Sequence, residues 1–299
     1  MNSIHTHDLH TDPSQFPGVD VYAVVGNPIA HSKSPAIHQR FAKQSKQVMH
    51  YGRLQVELGG FAQAAKTFFG AGGKGLNVTV PFKLDAQSFA DVLSPRAELA
   101  GAVNTLYLHN GKVCGDNTDG AGLVRDILAQ GVRIKGARVL LLGAGGAARG
   151  VIGPLLEQLP QQLVIANRSN AKAQELVALF TEKAQAHHVG IASCDLLALE
   201  DSAMTPQAFD LVINATAAGL GDESPLTKVA AARVFVPSSF AYEMVYGKTT
   251  AFMQQALHQG ARVSDGLGML VEQAADAFLI WRGPDVSIDP RAVLLELRR

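Results

Sequence analysis

Cysteine is nearly absent from this chain: Cys114 and Cys194 are the only two in 299 residues, far apart and without CxxC spacing. That excludes a disulfide framework and a cysteine-built zinc site, and it suits a reducing compartment such as the cytoplasm. An excess of either charge is missing as well, since 26 Lys and Arg balance 26 Asp and Glu. No overall field therefore favours nucleic acid or an anionic membrane, and a small-molecule substrate is the better partner. No apolar run reaches the length of a membrane span, about 20 residues, and the N-terminus lacks a basic-then-apolar signal pattern. What the chain does have is apolar mass. At 47% hydrophobic and 17% charged residues, it is long enough for two ordinary domains, each with its own core. A globular cytoplasmic protein is expected, as a monomer or homodimer.

The stretch Arg138-Val-Leu-Leu-Leu-Gly143-Ala144-Gly145-Gly146-Ala147-Ala148-Arg149-Gly150 organises the rest. Four apolar residues in a row end in glycines, the pattern of a buried strand running into a turn that needs unusual backbone angles. A helix is expected to follow at once. Gly143-x-Gly145-x-x-Ala148 fits the G-x-G-x-x-G/A dinucleotide fingerprint. Its first Gly makes the turn, its second lets a pyrophosphate approach, and its third small residue lets helix and strand pack. Alone the pattern is a weak signal. A second apolar strand, Leu163-Val-Ile-Ala-Asn167, supports it by arriving about 20 positions on, where the fingerprint places the residue that reads the adenosine ribose. There stand Asn167, Arg168 and Ser169, with Lys172 one turn later and no carboxylate. An Asp or Glu would accept from a ribose 2′-OH, whereas Arg and Lys suit a 2′-phosphate. The expected cofactor is therefore NADP; the competing reading makes Arg168 and Lys172 a solvated helix start.

Residues 1–18 contain His5, His7, His10 and two prolines but few large apolar groups, the composition of a disordered tail. Without accompanying ligands these histidines do not make a metal site, and no metal is expected. Order begins with a buried-type strand over residues 20–26. Ser34 before Pro35 reads as a helix start, with Ser accepting from first-turn N–H groups and Pro at the first helical position. The N-terminus of that helix, running to about Lys46, suits a carboxylate ligand beside Ser32 and Ser34. The other reading is that both serines only cap and turn the backbone. Residues 51–58 read as a strand and 61–69 as a helix. In Asn77-Val-Thr79-Val the polar residues alternate with valines, so Asn77 and Thr79 share a strand face. Pro81 stops the ladder, and Lys83 follows just beyond the strand end, where α/β proteins place chemistry. It is a candidate acid/base, or a solvated lysine. Residues 100–108 and 111–115 read as short strands joined at Asn110-Gly111, a hairpin signal. Asp119 opens a helix through Leu128, either as its N-cap or as a buried partner for Lys83; local sequence does not bring the two together.

From Arg138 to about Asp265 strand and helix alternate, the doubly wound pattern. Residues 190–195 and 209–216 read as further parallel strands, and the second puts Asn214 and Thr216 at a carboxyl edge, where a cofactor would lie. Residues 240–246 and 261–264 are the expected last strands. A helix from Leu267 to about Trp281 places Met269 and Gln273 on one face, and a short helix closes the chain.

Taken in order, His31-Ser32-Lys33-Ser34-Pro35, Asn77-Val-Thr79-Val-Pro81-Phe-Lys83, Ala100-Gly-Ala-Val-Asn104-Thr and Asp116-Asn-Thr-Asp119-Gly resemble the shikimate dehydrogenase family. So do Gly143-Ala144-Gly145-Gly146-Ala147, Asn167-Arg168-Ser169, Asn214-Ala-Thr216 and Gly266-Leu-Gly-Met269-Leu-Val-Glu-Gln273-Ala-Ala. The resemblance covers nearly the whole ordered chain, and unrelated proteins would not share this many motifs at compatible spacing. It implies reversible reduction of 3-dehydroshikimate to shikimate by NADPH, on the route to chorismate and the aromatic amino acids. Ser32 and Ser34 would hold the shikimate carboxylate, and Asn77, Thr79, Asn104, Asp119 and Gln273 its hydroxyls. Lys83 would be the acid/base, paired with Asp119. Met244 and Tyr246 would line the nicotinamide and substrate sites, with Thr216, Lys172, Gly266 and Met269 joining the glycine turn and Asn167-Arg168-Ser169 around the cofactor. One position departs from the family pattern: Glu243 stands where Asp is expected.

The residue types make chemical sense of that reaction. Hydride moving to a ketone carbon leaves charge on oxygen, so a cation able to give a proton there lowers the barrier. The cofactor carries the hydride, and the protein positions its reactive carbon and keeps water out. The expected fold is α/β in two domains: an N-terminal α/β substrate domain and a Rossmann-type doubly wound nucleotide-binding domain, with C-terminal helices returning to the first. Residues 19–118 plus 266–299 form the substrate domain and 119–265 the NADP domain, with a cleft between them that closes on a hinge. Two rivals are an NAD-preferring quinate/shikimate dehydrogenase relative and a catalytically silent NADP-binding sensor. Serine at both Ser32 and Ser34, with Arg168 and Lys172 lacking a nearby acid, weighs against the first, and Lys83, Asp119 and the polar set together against the second.

Overall fold

The computed structural model describes residues 10–201, 208–221 and 223–299. In chain order its first elements are β1 (Asp20–Gly26), α1 (Ser34–Ser45), β2 (Met49–Gln55), α2 (Phe61–Gly70), β3 (Gly75–Val78), α3 (Lys83–Phe89), β4 (Val92–Leu93), α4 (Pro95–Ala100), β5 (Thr105–His109), β6 (Lys112–Asp116) and α5 (Asp119–Ala129). There follow β7 (Arg138–Leu142), α6 (Gly146–Glu157), β8 (Gln162–Asn167), α7 (Asn170–Ala186), β9 (Gly190–Asp195), β10 (Leu211–Asn214), α8 (Lys228–Val234), β11 (Phe240–Glu243), α9 (Ala251–His258), β12 (Arg262–Ser264), α10 (Leu267–Arg282) and α11 (Pro290–Leu297). Met1–Gly122 with Leu270–Arg299 forms one compact unit and Leu123–Met269 the other. The second unit thus begins at 123 and the return at 270, a few residues beyond the 119 and 266 expected from sequence.

The sheet of the first unit runs β2-β1-β3-β5-β6-β4. β1 pairs in parallel with β2 and β3, and β5 and β6 then turn antiparallel. Val21 to Val25 is buried without a break because both faces of β1 are covered. Val21, Ala23 and Val25 pack with Phe61, Ala65 and Phe68 of α2 and Ala86 of α3. Tyr22 and Val24 face the other way, with Tyr51 and Ile29. A further cluster joins Ile37 and Phe41 of α1 to Val271, Ala274 and Phe278 of α10 and Val293 of α11, which explains why the last helices belong to this unit.

Two local expectations fail here for identifiable reasons. The tail expected to be disordered through residue 18 is packed from His10 on; His5 and His7 lie outside the described residues. β2 is an edge strand, and the tail covers its edge, as native sheets require of an open edge. His10 bridges Leu54 in antiparallel sense, and Thr11 donates its N–H and its hydroxyl to Arg53 O at 3.1 and 2.9 Å. Phe16 stacks on His50 with ring centroids 3.8 Å apart. Residues 100–104, expected as strand, instead end α4 and cross to β5. Ser94 caps α4 by accepting from Ala97 N–H at 3.2 Å, Pro95 takes the first helical position, and Gly101 closes the helix at φ +57°. Burial of Ala100, Ala102 and Val103 accounts for their strand-like apolarity.

His38 on α1 is fully buried and stacks on Tyr51, centroids 4.1 Å apart. Its Nε2 lies 3.1 Å from Asn77 Oδ1, which assigns the proton to Nε2, and Nδ1 is buried without a partner. A second proton would have no acceptor, so burial holds the pKa down at about 3. The unfolded chain takes that proton near pH 6.5. Between these values the unfolded state carries the extra proton, so stability falls as pH falls. About 2 kcal/mol is lost by pH 5 on this account. Unfolding free energies measured from pH 7 to 5 should fall less steeply in His38→Gln; an unchanged slope would remove His38 as their source.

In the second unit all neighbours are parallel, in the order β12-β11-β10-β7-β8-β9. Crossovers leave β7 in both directions, the doubly wound arrangement, with its switch point between β7 and β10. Leu140 and Leu142 of β7, Val212 of β10 and Ala241 of β11 share a core with Val234 of α8 and Phe252 of α9. β11 ends at Glu243, short of the expected 246, because the chain turns there: Val245 N–H donates to Glu243 Oε1 at 3.2 Å.

Candidate active site

Thr79 N–H donates to Val25 O at 3.0 Å and Asn27 N–H to Val80 O at 3.1 Å. The segments leaving the parallel strands β1 and β3 are thereby held together at the carboxyl edge, the usual place for a ligand in such sheets. Lys83 opens α3 beyond that edge, its carbonyl accepting from Val103 N–H at 3.0 Å. Asp119 opens α5. Lys83 Nζ donates to Asp119 Oδ2, with the two side chains only 18% and 8% exposed. So placed, the pair is screened far less than a surface pair would be. This is the meeting that local sequence left open.

Asn104 is the hub of the surrounding network. Its Nδ2 reaches Asp119 Oδ1 and Thr118 Oγ1, both at 2.9 Å, and Gln273 Oε1 at 3.2 Å. Its Oδ1 accepts from Thr118 N–H at 2.9 Å and from the Thr105 hydroxyl at 3.0 Å. Gln273 is held in turn by donating from Nε2 to Leu270 O at 2.8 Å. Behind them Arg96 grips Asp116 with two bonds, 2.6 and 2.9 Å. Burial raises the Asp116 carboxyl, but the bonds from Arg96 and Ser94 outweigh it and leave the pKa lowered. Asp116 O accepts from Asn104 N–H at 3.0 Å, so this ion pair braces the segment that carries Asp119.

Asn77 is more committed than expected. Its Oδ1 accepts from Tyr51 OH at 2.7 Å and from His38 Nε2 at 3.1 Å, while Nδ2 donates to Thr105 Oγ1 at 3.2 Å and Asn104 O at 3.4 Å. Those four contacts use the full capacity of an amide. Thr79, just past the end of β3, is half-buried with its methyl against Gly26. Ser34 does not cap α1 as expected. The N-cap is Lys33, without a side-chain bond, and Ser34 is the first helical residue. Ser32 Oγ accepts from Ser34 N–H at 3.3 Å, and Ser34 is buried. Tyr246, expected with these residues, belongs to the second unit.

In that second unit Gly143 ends β7 at φ +108°, with a Cβ there 3.1 Å from Thr216 Cγ2 across the switch point. A Cβ at Gly145 or Gly146 would meet nothing within 4 Å. Open space thus lies in front of the start of α6, which has no side-chain cap and no acidic residue in its first turn. Such a start offers free N–H groups to an anion, and the residues fit a dinucleotide pyrophosphate. Ala144 and Ala147 are half-buried beside it, and Ala148 is fully buried, which lets α6 approach the sheet. At the end of β8, Asn167 Nδ2 donates to Ser169 O at 2.9 Å. Arg168, Ser169 and Lys172 are exposed, and among the described residues Arg168 and Lys172 form no ion pair.

Thr216 Oγ1 donates to Asn214 Oδ1 at 2.7 Å. Met244 and Tyr246 are half-buried after β11. Gly266 donates its N–H to Val245 O at 3.1 Å and has no room for a Cβ against Met244 O. Met269 N–H donates to Tyr242 OH at 3.2 Å, and Tyr242 OH to Asp126 Oδ2 at 2.6 Å. Glu243 is fully buried and accepts from Asn214 Nδ2 and Thr250 Oγ1, each at 2.8 Å. Burial pushes its carboxyl up against the pull of these donors, and Gly219 leaves room for the longer side chain. Two arginines that sequence reasoning passed over, Arg53 on β2 and Arg149 on α6, each keep a buried Nε without a partner. Their proximity in sequence to Tyr51 and to the glycine turn is the one signal that could have found them.

A hydride-transfer enzyme asks its protein for a dinucleotide seat and for a proton donor among polar groups that suit a hydroxylated substrate. The doubly wound unit and the Lys83 cluster offer these residue types, which puts the chain in the class of nicotinamide-nucleotide-dependent dehydrogenases. Residues 24–106 match the family model described as the shikimate dehydrogenase substrate binding domain, and residues 123–221 that of shikimate / quinate 5-dehydrogenase. The chain is 53% identical over 281 residues to a shikimate dehydrogenase (NADP(+)) of Janthinobacterium sp., covering 93% of this chain and 97% of that one. It is 51% identical over 284 residues to that of Vibrio atlanticus, covering 94% and 97%. Among solved structures it is similar to shikimate 5-dehydrogenase from Thermus thermophilus in complex with NADP(H) and shikimate, with TM-score 0.80, 31% identity, and coverage of 94% and 99%. The chain belongs to the shikimate dehydrogenase family.

Proposed function

We propose that this protein catalyses the reversible reduction of 3-dehydroshikimate to shikimate with NADPH, in the cytoplasm, on the route to chorismate. The observation that carries the mechanism is the Lys83–Asp119 pair, held by Asn104 and largely withdrawn from water. Bound NADPH supplies the hydride. Lys83 Nζ gives a proton to the carbonyl oxygen as negative charge develops there, and takes it back in the oxidation direction. Asp119, which accepts from Lys83 Nζ, orients the ammonium toward the reacting oxygen. Asp119, Gln273 and Thr79 fix the substrate hydroxyls, while Asn77 and Asn104, both fully engaged with protein partners, shape the floor and hold Asp119 and Gln273 in place. Ser32 and Ser34 hold the carboxylate, and Tyr246 and Met244 complete the substrate and nicotinamide surroundings. The 143–147 turn would take the pyrophosphate, and Asn167, Arg168, Ser169 and Lys172 the 2′-phosphate end, with Thr216, Gly266 and Met269 beside the nicotinamide.

The test is one assay: shikimate and quinate, each with NADP and with NAD, followed at the nicotinamide absorbance near 340 nm. Shikimate with NADP is expected to give the largest kcat/KM. A larger value for quinate with NAD would replace this reading by that of an NAD-preferring relative. Ligand binding with no absorbance change in any combination would make the protein a sensor.

A further inference from the structure

Parallel register aligns Arg53 of β2 with Val24 of β1, and Val24 with Asn77 of β3. Residues aligned across a sheet point to the same face, so Arg53 shares the face of Asn77 and lies two residues beyond Tyr51, whose hydroxyl reaches the Asn77 amide at 2.7 Å. One end of the guanidinium is fixed: Nη2 donates to Ser32 O at 2.8 Å. Nε is buried and bonds nothing, and among the described residues no carboxylate pairs with Arg53. A guanidinium cannot shed its proton to escape burial, and a half-buried charge is normally matched by an opposite one. Arg40, Arg96 and Arg282, also partly buried, have their carboxylates in Glu296, Asp116 and Asp20. Arg53 has only a carbonyl.

We infer that Arg53 supplies the positive charge that recognises the substrate's carboxylate, acting at and through the Ser32–Ser34 turn. The inference rests on the proposed function, in which the two serine hydroxyls hold that carboxylate. Hydroxyls alone donate hydrogen bonds without neutralising an anion; Lys33 lies within the turn itself, and Arg53 is the cation from a neighbouring strand whose guanidinium is tied to it, through Ser32 O. Its planar fork can hold the Ser32 carbonyl with one nitrogen and leave the rest of its charge for the ligand. The occupant's chemistry follows: a monocarboxylate on a small polar ring is favoured, and the same ring with an uncharged ester is not.

The experiment compares shikimate with methyl shikimate as substrates of wild type, Arg53→Gln, Arg53→Lys and Ser34→Ala, all with NADP. Wild type is expected to prefer the acid in kcat/KM. Arg53→Gln should lower that preference about 10- to 100-fold, the worth of a charge-assisted contact, through KM for shikimate and with KM for NADP unchanged. Arg53→Lys, which keeps the charge, should restore most of the preference and also serves if the Gln variant does not fold. A merely structural arginine would slow both substrates equally, and that result, or no change in either, overturns the inference. If Ser34→Ala weakens shikimate while both Arg53 variants behave as wild type, the proposed function stands and the role of Arg53 falls. If wild type does not turn over shikimate at all, both fall.

Discussion

Lys83→Met is expected to lower kcat for shikimate oxidation roughly 10²- to 10⁴-fold, the usual contribution of a general acid/base, while the Kd for NADPH stays close to that of wild type. The substitution keeps an unbranched side chain of similar reach and removes only the ammonium. It also leaves Asp119 without its cation, and an uncompensated buried charge destabilises by about 3–5 kcal/mol. Asp119→Asn separates the two effects. An amide there can still meet Asn104, whose Nδ2 reaches Asp119 Oδ1 at 2.9 Å, while Lys83 loses its orienting charge. Its kcat should fall less than that of Lys83→Met. Steady-state rates with NADPH binding measured by nucleotide fluorescence check both variants. Turnover at the wild-type rate in folded Lys83→Met would remove Lys83 from the chemistry.

The second large effect concerns the choice of nucleotide. Arg168→Ala with Lys172→Ala is expected to raise KM for NADPH by about 10- to 100-fold, since a hydrogen bond to a charged group contributes about 1.5–3 kcal/mol. KM for NADH should not move, because NADH lacks the 2′-phosphate. Both side chains are exposed, so the NADPH preference of the wild type should also shrink as salt rises. Kinetics with the two nucleotides at low and high ionic strength check this. An unchanged NADPH constant in the double variant would return Arg168 and Lys172 to the role of a solvated helix start.

Where a feature was written in consecutive residues, the sequence announced it. The apolar run from Val139 to Leu142 reads as a strand covered on both faces and the glycines after it as a turn into a helix; β7 and α6 sit there. The strand-helix alternation made the doubly wound sheet legible, and the order β9-β8-β7-β10-β11-β12 bears it out. Where a feature depends on what comes from elsewhere in the chain, composition misled. The polar, proline-containing residues after His10 looked unstructured because nothing local shows that edge strand β2 will take them. Ser-Pro usually marks a cap, but here the helix starts one residue earlier, with Ser34 inside its first turn and Lys33 as the N-cap.

The candidate site divides the same way. Lys83 and Asp119 were each visible as candidates, yet 36 positions separate them, and only the resemblance to the family paired them. The position of Asn104 at the centre of the polar cluster comes from the crossing of β5, the turn before α5 and α10, which no single stretch contains. Nothing local marks Arg53, because an arginine on a half-exposed strand is ordinarily a solvated one. Its missing counter-ion is visible only when the whole neighbourhood is assembled. Glu243 illustrates the opposite case, a departure noticed in sequence whose accommodation, through Asn214, Thr250 and the space at Gly219, needed three further segments.

The most direct measurement is a single turnover. Enzyme loaded with NADPH is mixed rapidly with 3-dehydroshikimate, and loss of nicotinamide absorbance is followed in wild type and in Lys83→Met. If Lys83 gives the proton as hydride arrives, the variant should bind both ligands and then oxidise NADPH at least about 100-fold more slowly in the chemical step. A burst in the variant as fast as in wild type would contradict the assignment of the acid to Lys83.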